Sequence, residues 1–354
     1  MEAIRFALVG CSKIAHKHAR GLRNVPGAAL AAVCDLNQER AEAMGREYAV
    51  PWYTDYHQMM DKVPIEVVSV LTPSGDHATR ILDLVKYGKH LVVEKPMVLR
   101  LDDADTVIRA CDEAGVKIFE VKQNRYNRPV QALRQALDAG RLGKLVMGTV
   151  RVRWCRRQEY YDEAPWRGTW AWDGGVLTNQ ASHHIDLLQW MMGEVESVSA
   201  MTATRLVRIE AEDTGAAVLR FKSGALGIVE ATTGTRPRDL EGSLSLLGER
   251  GSVVIGGFAM DRIVTWEFSN PEPQDATILE THGANPNDAG WSHGEYLRGV
   301  SETLRSGRKA LVDGLEARKS IELITAIYES AETGATVPLR FRARKSRLGV
   351  ARGD

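Results

Sequence analysis

Along the first third of the chain, short apolar-rich runs alternate with helical patterns. Phe6 to Val9, Ala29 to Cys34, Val67 to Leu71, Leu91 to Val93 and Lys117 to Val121 have the composition of strands buried on both faces of a parallel sheet. Helical spacing follows Gly10 as far as Asn24, and again from Asp76-His77 to about Tyr87 and from Asp102 to Ala114. Strand and helix in alternation predict right-handed crossovers and a doubly wound sheet. Ligands of such sheets sit beyond the carboxyl ends of the strands, where Thr72, Pro73, His77, Glu94, Lys95 and Pro96 fall.

Beyond the helix that opens at Arg128-Pro129, the apolar period drops to two. Val146 to Trp154 alternates like a half-solvated strand, and six more strands follow between Val198 and Phe268. Lys222-Ser223-Gly224 and Gly248 to Gly251 are hairpin turns. The fold class is therefore α/β, a parallel doubly wound (Rossmann) domain followed by an α/β domain with a large, mostly antiparallel open sheet. The expected boundaries are 1–122, 123–341 and a polar tail, 342–354. Amphipathic helices from His293 to Arg305 and Gly314 to Thr333 are expected in the second domain. An open sheet with one face not covered by its own helices docks on a second copy, so a homo-dimer or tetramer is expected. The basic tail either frays or lies on a partner subunit.

Composition narrows the partners. The 354 residues are 44 % hydrophobic and 26 % charged, with 46 acidic and 46 basic side chains. That balance provides no bulk field for nucleic acid or an anionic membrane. No apolar run reaches membrane-spanning length, and Met1 to Arg5 lacks signal-peptide architecture. Cys11, Cys34, Cys111 and Cys155 form no C-x-x-C pair, so no metal knuckle is expected. They are small apolar fillers of a reducing, cytoplasmic compartment.

Two groups of residues carry candidate chemistry. In the first, Gly10-Cys11-Ser12-Lys13-Ile14-Ala15 keeps one glycine of G-x-G-x-x-G, with Ser12 and Ala15 at the other two positions. Both are small enough for close packing, and such a turn aims backbone N–H groups and a helix N-terminus at a pyrophosphate. Asp35 ends the second strand and suits a ribose 2′-OH while repelling a 2′-phosphate, which favours NAD over NADP. It also suits a turn or helix cap. Lys95, fixed by Pro96, is either a donor that polarises a substrate hydroxyl or a surface lysine paired with Glu94.

The second group lies between Arg156 and Asp186. Arg156, Arg157, Tyr160, Tyr161, Trp166, Arg167 and Trp170 interleave guanidiniums with aromatics, which suits a ligand with anionic and planar parts; Arg125 and Arg236 are further anion-capable positions. Each arginine alone is equally a solvated surface charge. After Gly174-Gly175 come Asn179, Ser182, His183, His184 and Asp186. On a helix Asn179 and His183 share a face, and His183 and Asp186 can meet. A histidine so held is a general base near neutral pH; a capped, buried helix with a satisfied histidine fits the same pattern.

Together Gly10 to Ala15, Asp35, Thr72-Pro73 with His77, Gly88-Lys89-His90, Glu94-Lys95-Pro96, Gly175 to Asp186 and Asp313 to Arg318 resemble the Gfo/Idh/MocA oxidoreductases. The resemblance runs to about Phe341. It implies NAD bound through Gly10, Ser12, Lys13, Ile14, Asp35, Thr72, Pro73, His77, Glu94 and Lys95, with Lys95 and His183 catalytic and no metal. Asn179 stands where the family usually has Asp, which removes a carboxylate near the hydride-transfer position. Trp166 to Trp170, Asp173 to Gly175 and Asn179 to His184 resemble the branch that oxidises the 3-hydroxyl of UDP-N-acetylglucosaminuronate, on the way to sugars of surface polysaccharides such as lipopolysaccharide. That resemblance implies substrate contacts at Arg125, Tyr160, Trp166, Arg167, Asn179, Ser182 and Arg236. A dehydrogenase of a free sugar or cyclitol and a non-catalytic dinucleotide-binding regulator are the alternatives. Retention of Lys95 and His183 argues against the regulator.

Overall fold

A computed structural model describes residues 2–286, 288, 290–339 and 348. The chain divides into two compact units. The first joins Met1–Val98, Asp102–Gln123 and Asn287–Arg318; the second joins Leu99–Leu101, Asn124–Pro286 and Lys319–Asp354. The segment 287–318 was expected in the second domain and instead completes the first. Its helix, Trp291–Ser306, packs on the first helix of the chain, Lys13–Arg23. Apart from the buried Leu348, the expected tail lies outside the described residues.

Strands β1 (Ile4–Val9), β2 (Ala28–Cys34), β3 (Trp52–Tyr53), β4 (Val67–Val70), β5 (His90–Val93) and β6 (Ile118–Glu120) build the sheet of the first unit. Their order is β3-β2-β1-β4-β5-β6, with every pairing parallel, the arrangement of a dinucleotide-binding fold. The strands form because Phe6, Ala7, Leu8, Val67, Val68, Leu91 and Val92 lose all contact with water. Each large aliphatic side chain so buried contributes about 1.5–3 kcal/mol. Side-chain caps start two of the intervening helices: Asn37 accepts from the Arg40 N–H and Asp55 from the His57 N–H.

The second unit is an eight-stranded sheet of β7 (Leu145–Arg153), β8 (Val195–Ala203), β9 (Thr214–Phe221), β10 (Leu226–Thr232), β11 (Glu241–Gly248), β12 (Gly251–Gly256), β13 (Arg262–Phe268) and β14 (Val337–Pro338). Its order is β13-β12-β11-β7-β10-β9-β8-β14, antiparallel throughout except where β7 pairs parallel with β10. One face packs Leu219, Val229 and Leu246 on Ile185 and Leu188 of the helix Ser182–Met192, and on Leu323 and Ile327 of the helix Gly314–Thr333. The other face leaves Met201 81 % and Val218 54 % exposed. Among the described residues, no helix is long and apolar enough to cross a membrane.

Candidate active site

At the end of β1 the chain turns at Gly10, whose φ is +105°. A Cβ there would lie 2.6 Å from the Leu71 carbonyl oxygen, so only glycine fits the turn. The next N–H, of Cys11, donates to Asp35 Oδ2 at 2.7 Å, and the Asn37 N–H donates to Oδ1 at 2.8 Å. Asp35 is thereby fixed at the tip of β2. Ser12 is the extended N-cap of the helix Lys13–Arg23, with no side-chain cap and no acidic residue in the first turn. Ser12 and Lys13 are exposed, Ile14 is half-buried and Ala15 is fully buried beneath them. A helix N-terminus with open N–H groups and no competing carboxylate fits a pyrophosphate, and the pinned carboxylate fits a ribose diol.

Two side chains expected on the cofactor point into the protein instead. His77 is fully buried, with Nδ1 2.9 Å from the Pro96 carbonyl oxygen and Nε2 2.9 Å from that of Thr72. Burial lowers its pKa against the pull of those two carbonyls. A neutral imidazole donates to only one of them at a time. His77 thus ties the loop after β4 to the loop after β5, and Thr72, Pro73 and Lys95 are half-buried around it. Glu94 is also turned inward. Burial pushes its carboxyl up, but the His18 Nε2 hydrogen bond at 3.0 Å and neighbouring charges bring it down to about 2. Its Oε2 accepts the Lys95 backbone N–H at 3.1 Å.

In the second unit, residues 176–180 form successive turns, and the helix begins only at Ser182. Asn179 and His183 therefore do not share a helical face. The Asn179 amide instead donates to Asp173 Oδ1 at 2.6 Å, and the Ser182 hydroxyl reaches the Asn179 carbonyl oxygen at 3.4 Å. These turns are built on Glu212, which accepts from the Leu177 N–H at 2.9 Å and the Tyr328 hydroxyl at 2.8 Å. A Cβ on Gly175 would collide with Glu212, so glycine is needed for the turn to close over it. Burial raises the Glu212 carboxyl to about 7.

The two histidines of the helix separate cleanly. His184 is buried edge-on to Trp154 at 5.6 Å, its ring nitrogens have no hydrogen-bond partner among the described residues, and burial lowers its pKa to about 3. His183 is half-buried. Asp186, expected near His183, is held by Arg125 in a buried two-point ion pair of 2.9 and 2.8 Å, and Arg125 lies 5.0 Å over the Trp190 ring. This corrects the expectation that the Arg125 guanidinium is open to a substrate anion.

Arg167 stacks 4.3 Å over the Tyr160 ring and 5.5 Å from that of Trp166, and it donates to Glu163 at 2.8 Å. It lines a groove of about 610 Å³ together with Tyr161, Arg208 and Glu210; His183 and Asn179 do not line that groove. Arg236 is exposed, but its guanidinium donates to the carbonyls of Thr233, Thr235 and Arg156 and so braces a loop. Sequence reading missed Glu212, His18 and His293. The available signal for His18 was its place on the apolar face of its helix, in step with Ala15, Ala19 and Leu22.

A parallel sheet of this order, with a glycine turn after β1 and a carboxylate at the tip of β2, defines a dinucleotide-binding domain. Residues 4–122 match the NAD-binding Rossmann domain and residues 134–339 the C-terminal alpha/beta domain of one family, and the chain belongs to it: the Gfo/Idh/MocA oxidoreductases. The chain is similar to the WlbA dehydrogenase of Bordetella pertussis, solved in complex with NADH and UDP-GlcNAcA. Identity is 43 % and the TM-score 0.91, covering 96 % of this chain and 98 % of that one. The WlbA dehydrogenase of Chromobacterium violaceum, solved with the same two ligands, is 41 % identical with a TM-score of 0.89, covering 96 % of each chain. The scyllo-inositol 2-dehydrogenase (NAD(+)) of Bacillus subtilis is 26 % identical over 352 residues, 95 % of this chain and 96 % of that protein.

Proposed function

We propose that the chain oxidises the 3-hydroxyl of UDP-linked N-acetylglucosaminuronate in the biosynthesis of a surface-polysaccharide sugar. The observation that carries this reading is the 43 % identity, over nearly the whole chain, to a dehydrogenase solved with NADH and UDP-GlcNAcA. The arginine and aromatic side chains around Tyr160, Trp166 and Arg167 suit the diphosphate, uracil and carboxylate of such a ligand. Ser182, Asn179 and the braced Arg236 loop are the further proposed substrate contacts.

Gly10, Ser12, Lys13, Ile14, Asp35, Thr72 and Pro73 are the proposed NAD contacts. NAD, when bound, supplies the acceptor for the hydride of the sugar C3. His183 is the proposed base that takes the hydroxyl proton, and Lys95 the proposed donor that stabilises the developing alkoxide. His184, buried and lowered to about 3, is a core residue and not a second base.

The test is NADH formation from NAD and UDP-N-acetylglucosaminuronate, with and without 2-oxoglutarate as a regenerating oxidant. Lys95→Ala and His183→Asn are expected to lower kcat by about 10²–10⁴ with NAD binding retained. No turnover, together with no thermal shift from UDP or the UDP-sugar, would sink the nucleotide-sugar reading. The cyclitol reading, favoured by the inositol dehydrogenase relative, would then be tested with free inositols and sugars. The exposed apolar face carrying Met201 and Val218 is the proposed contact between copies. Sedimentation should give a dimer or tetramer, and Val218→Lys should shift it toward monomer; an unchanged monomer in the wild type would discard the interface.

A further inference from the structure

Three buried side chains from three distant segments of the first unit converge beneath Lys95. His18 lies in the helix Lys13–Arg23, Glu94 follows β5, and His293 lies in the helix Trp291–Ser306. All three are at least nine-tenths buried. The two helices approach closely because glycines meet at their crossing: a Cβ on Gly21 would lie 2.9 Å from the Gly294 nitrogen. That approach brings the two imidazoles edge to face, with ring centroids 5.4 Å apart. His18 Nε2 is 3.0 Å from Glu94 Oε1 and His293 Nε2 is 4.0 Å from the same oxygen. His293 Nε2 has no hydrogen-bond partner among the described residues. The second carboxylate oxygen, Oε2, accepts the Lys95 backbone N–H at 3.1 Å.

We propose that His18 and His293 are positioning residues for Lys95, acting through Glu94. One carboxylate oxygen is held by the His18 hydrogen bond, with His293 packed edge-on against the His18 ring, and the other fixes the peptide from which the lysine side chain leaves the strand. Rotation of the Glu94 carboxylate would release the Lys95 N–H, so the histidines set the lysine's starting point without touching substrate or cofactor. The cluster also gives the segment 287–318 a function in the first unit: it carries one of the two histidines.

The same three groups resemble a metal-ligand set, since one ligand atom from each lies within 4.8 Å of the others. The 3.0 Å contact, however, already satisfies His18 Nε2 and Glu94 as a hydrogen bond. An ion there would also need a further ligand to complete four-coordination.

The inference rests on Lys95 being the functional lysine of the proposed reaction, so its test includes a measurement that needs no substrate. Amide hydrogen exchange at Lys95 is followed in the full chain with NAD bound. His18→Asn and His293→Asn are expected to speed that exchange by about tenfold or more while the amides of β1 and β4 keep their protection. His18→Gln, whose longer amide still reaches Glu94, should restore most of the slow exchange. With a turned-over substrate, kcat should fall in the two Asn variants and recover in His18→Gln, with KM for NAD unchanged. Unchanged Lys95 exchange in folded variants would overturn the proposal. So would stoichiometric zinc in the purified protein that is lost in His293→Asn, which would make the cluster a metal centre. A wild type inactive on the UDP-sugar would sink the substrate reading and leave the exchange result standing.

Discussion

Glu94 and Glu212 are both buried carboxylates, one in each unit, and their protonation is pushed in opposite directions. Glu94 stands beside His18, with His293 and Lys95 nearby, and is held at about 2. Glu212 receives hydrogen bonds from the Leu177 N–H and the Tyr328 hydroxyl, with Asp213 nearby, and is raised to about 7. Burial opposes charge in both. What differs is the His18 hydrogen bond and the nearby Lys95 charge at Glu94, against neutral donors at Glu212. The first is an ionised anchor beneath a proposed catalytic lysine. The second is close to a neutral acid that props a turn.

The sharpest way to break this contrast is substitution. Glu94→Ala removes one partner of a buried pair and is expected to cost about 3–5 kcal/mol in urea unfolding. Glu212→Gln keeps a neutral group of the same shape and should cost less than about 1 kcal/mol. Similar costs at the two sites would mean that their charge states do not differ.

pH sharpens the contrast further. The Glu212 carboxyl rises from its ordinary 4.5 to about 7 on folding. Its contribution is therefore complete below 4.5 and is lost as pH rises through about 7, a loss of roughly 3 kcal/mol. The Glu94 carboxyl falls from 4.5 to about 2, so its contribution is complete above 4.5 and is lost as pH drops toward 2. His184 and His293, both lowered by burial from 6.5 to about 3, add further losses on the acid side. The wild-type curve is composite for that reason. The difference between wild type and Glu212→Gln should nonetheless isolate a decline between about 4.5 and 7. A flat difference would place Glu212 in its ionised form.

The smallest effect belongs to a pair with no burial. Lys222 and Glu194 bond on the surface with side chains 59 % and 68 % exposed. Lys222→Ala should leave the urea midpoint essentially unchanged at moderate salt. A larger change would mean that contact, rather than burial, sets the strength of such pairs in this protein.

How far these features could be read from the sequence follows from how local they are. The strands of the first sheet were legible because each is an apolar run between turn residues, and Asp35 was legible by its distance from Gly10. β3 and β14, two residues each, carry no periodic signal. The parallel pairing of β7 with β10 joins residues too far apart in the chain for spacing to suggest it. At the second glycine turn the helical pattern was extended back to Asn179. The Glu212 backbone and carboxylate instead hold residues 176 and 177 in turns, and Glu212 is remote in sequence. Arg125 looked like an anion receptor because its partner, Asp186, sits on another element. Residue types announced the chemistry; long-range pairing decided which of them is open to a ligand.

The division of the first unit among three stretches of chain also fixes an order of events during synthesis. A ribosome delivers the nucleotide-binding strands first and the helix Trp291–Ser306 only after the whole second sheet except β14. Until that helix emerges, the buried face of the first helix, His18 included, has nothing from this segment to cover it. The nascent first sheet therefore waits, with an apolar and imidazole-bearing flank open to chaperones or to other nascent chains, for a segment encoded after nearly all of the second sheet.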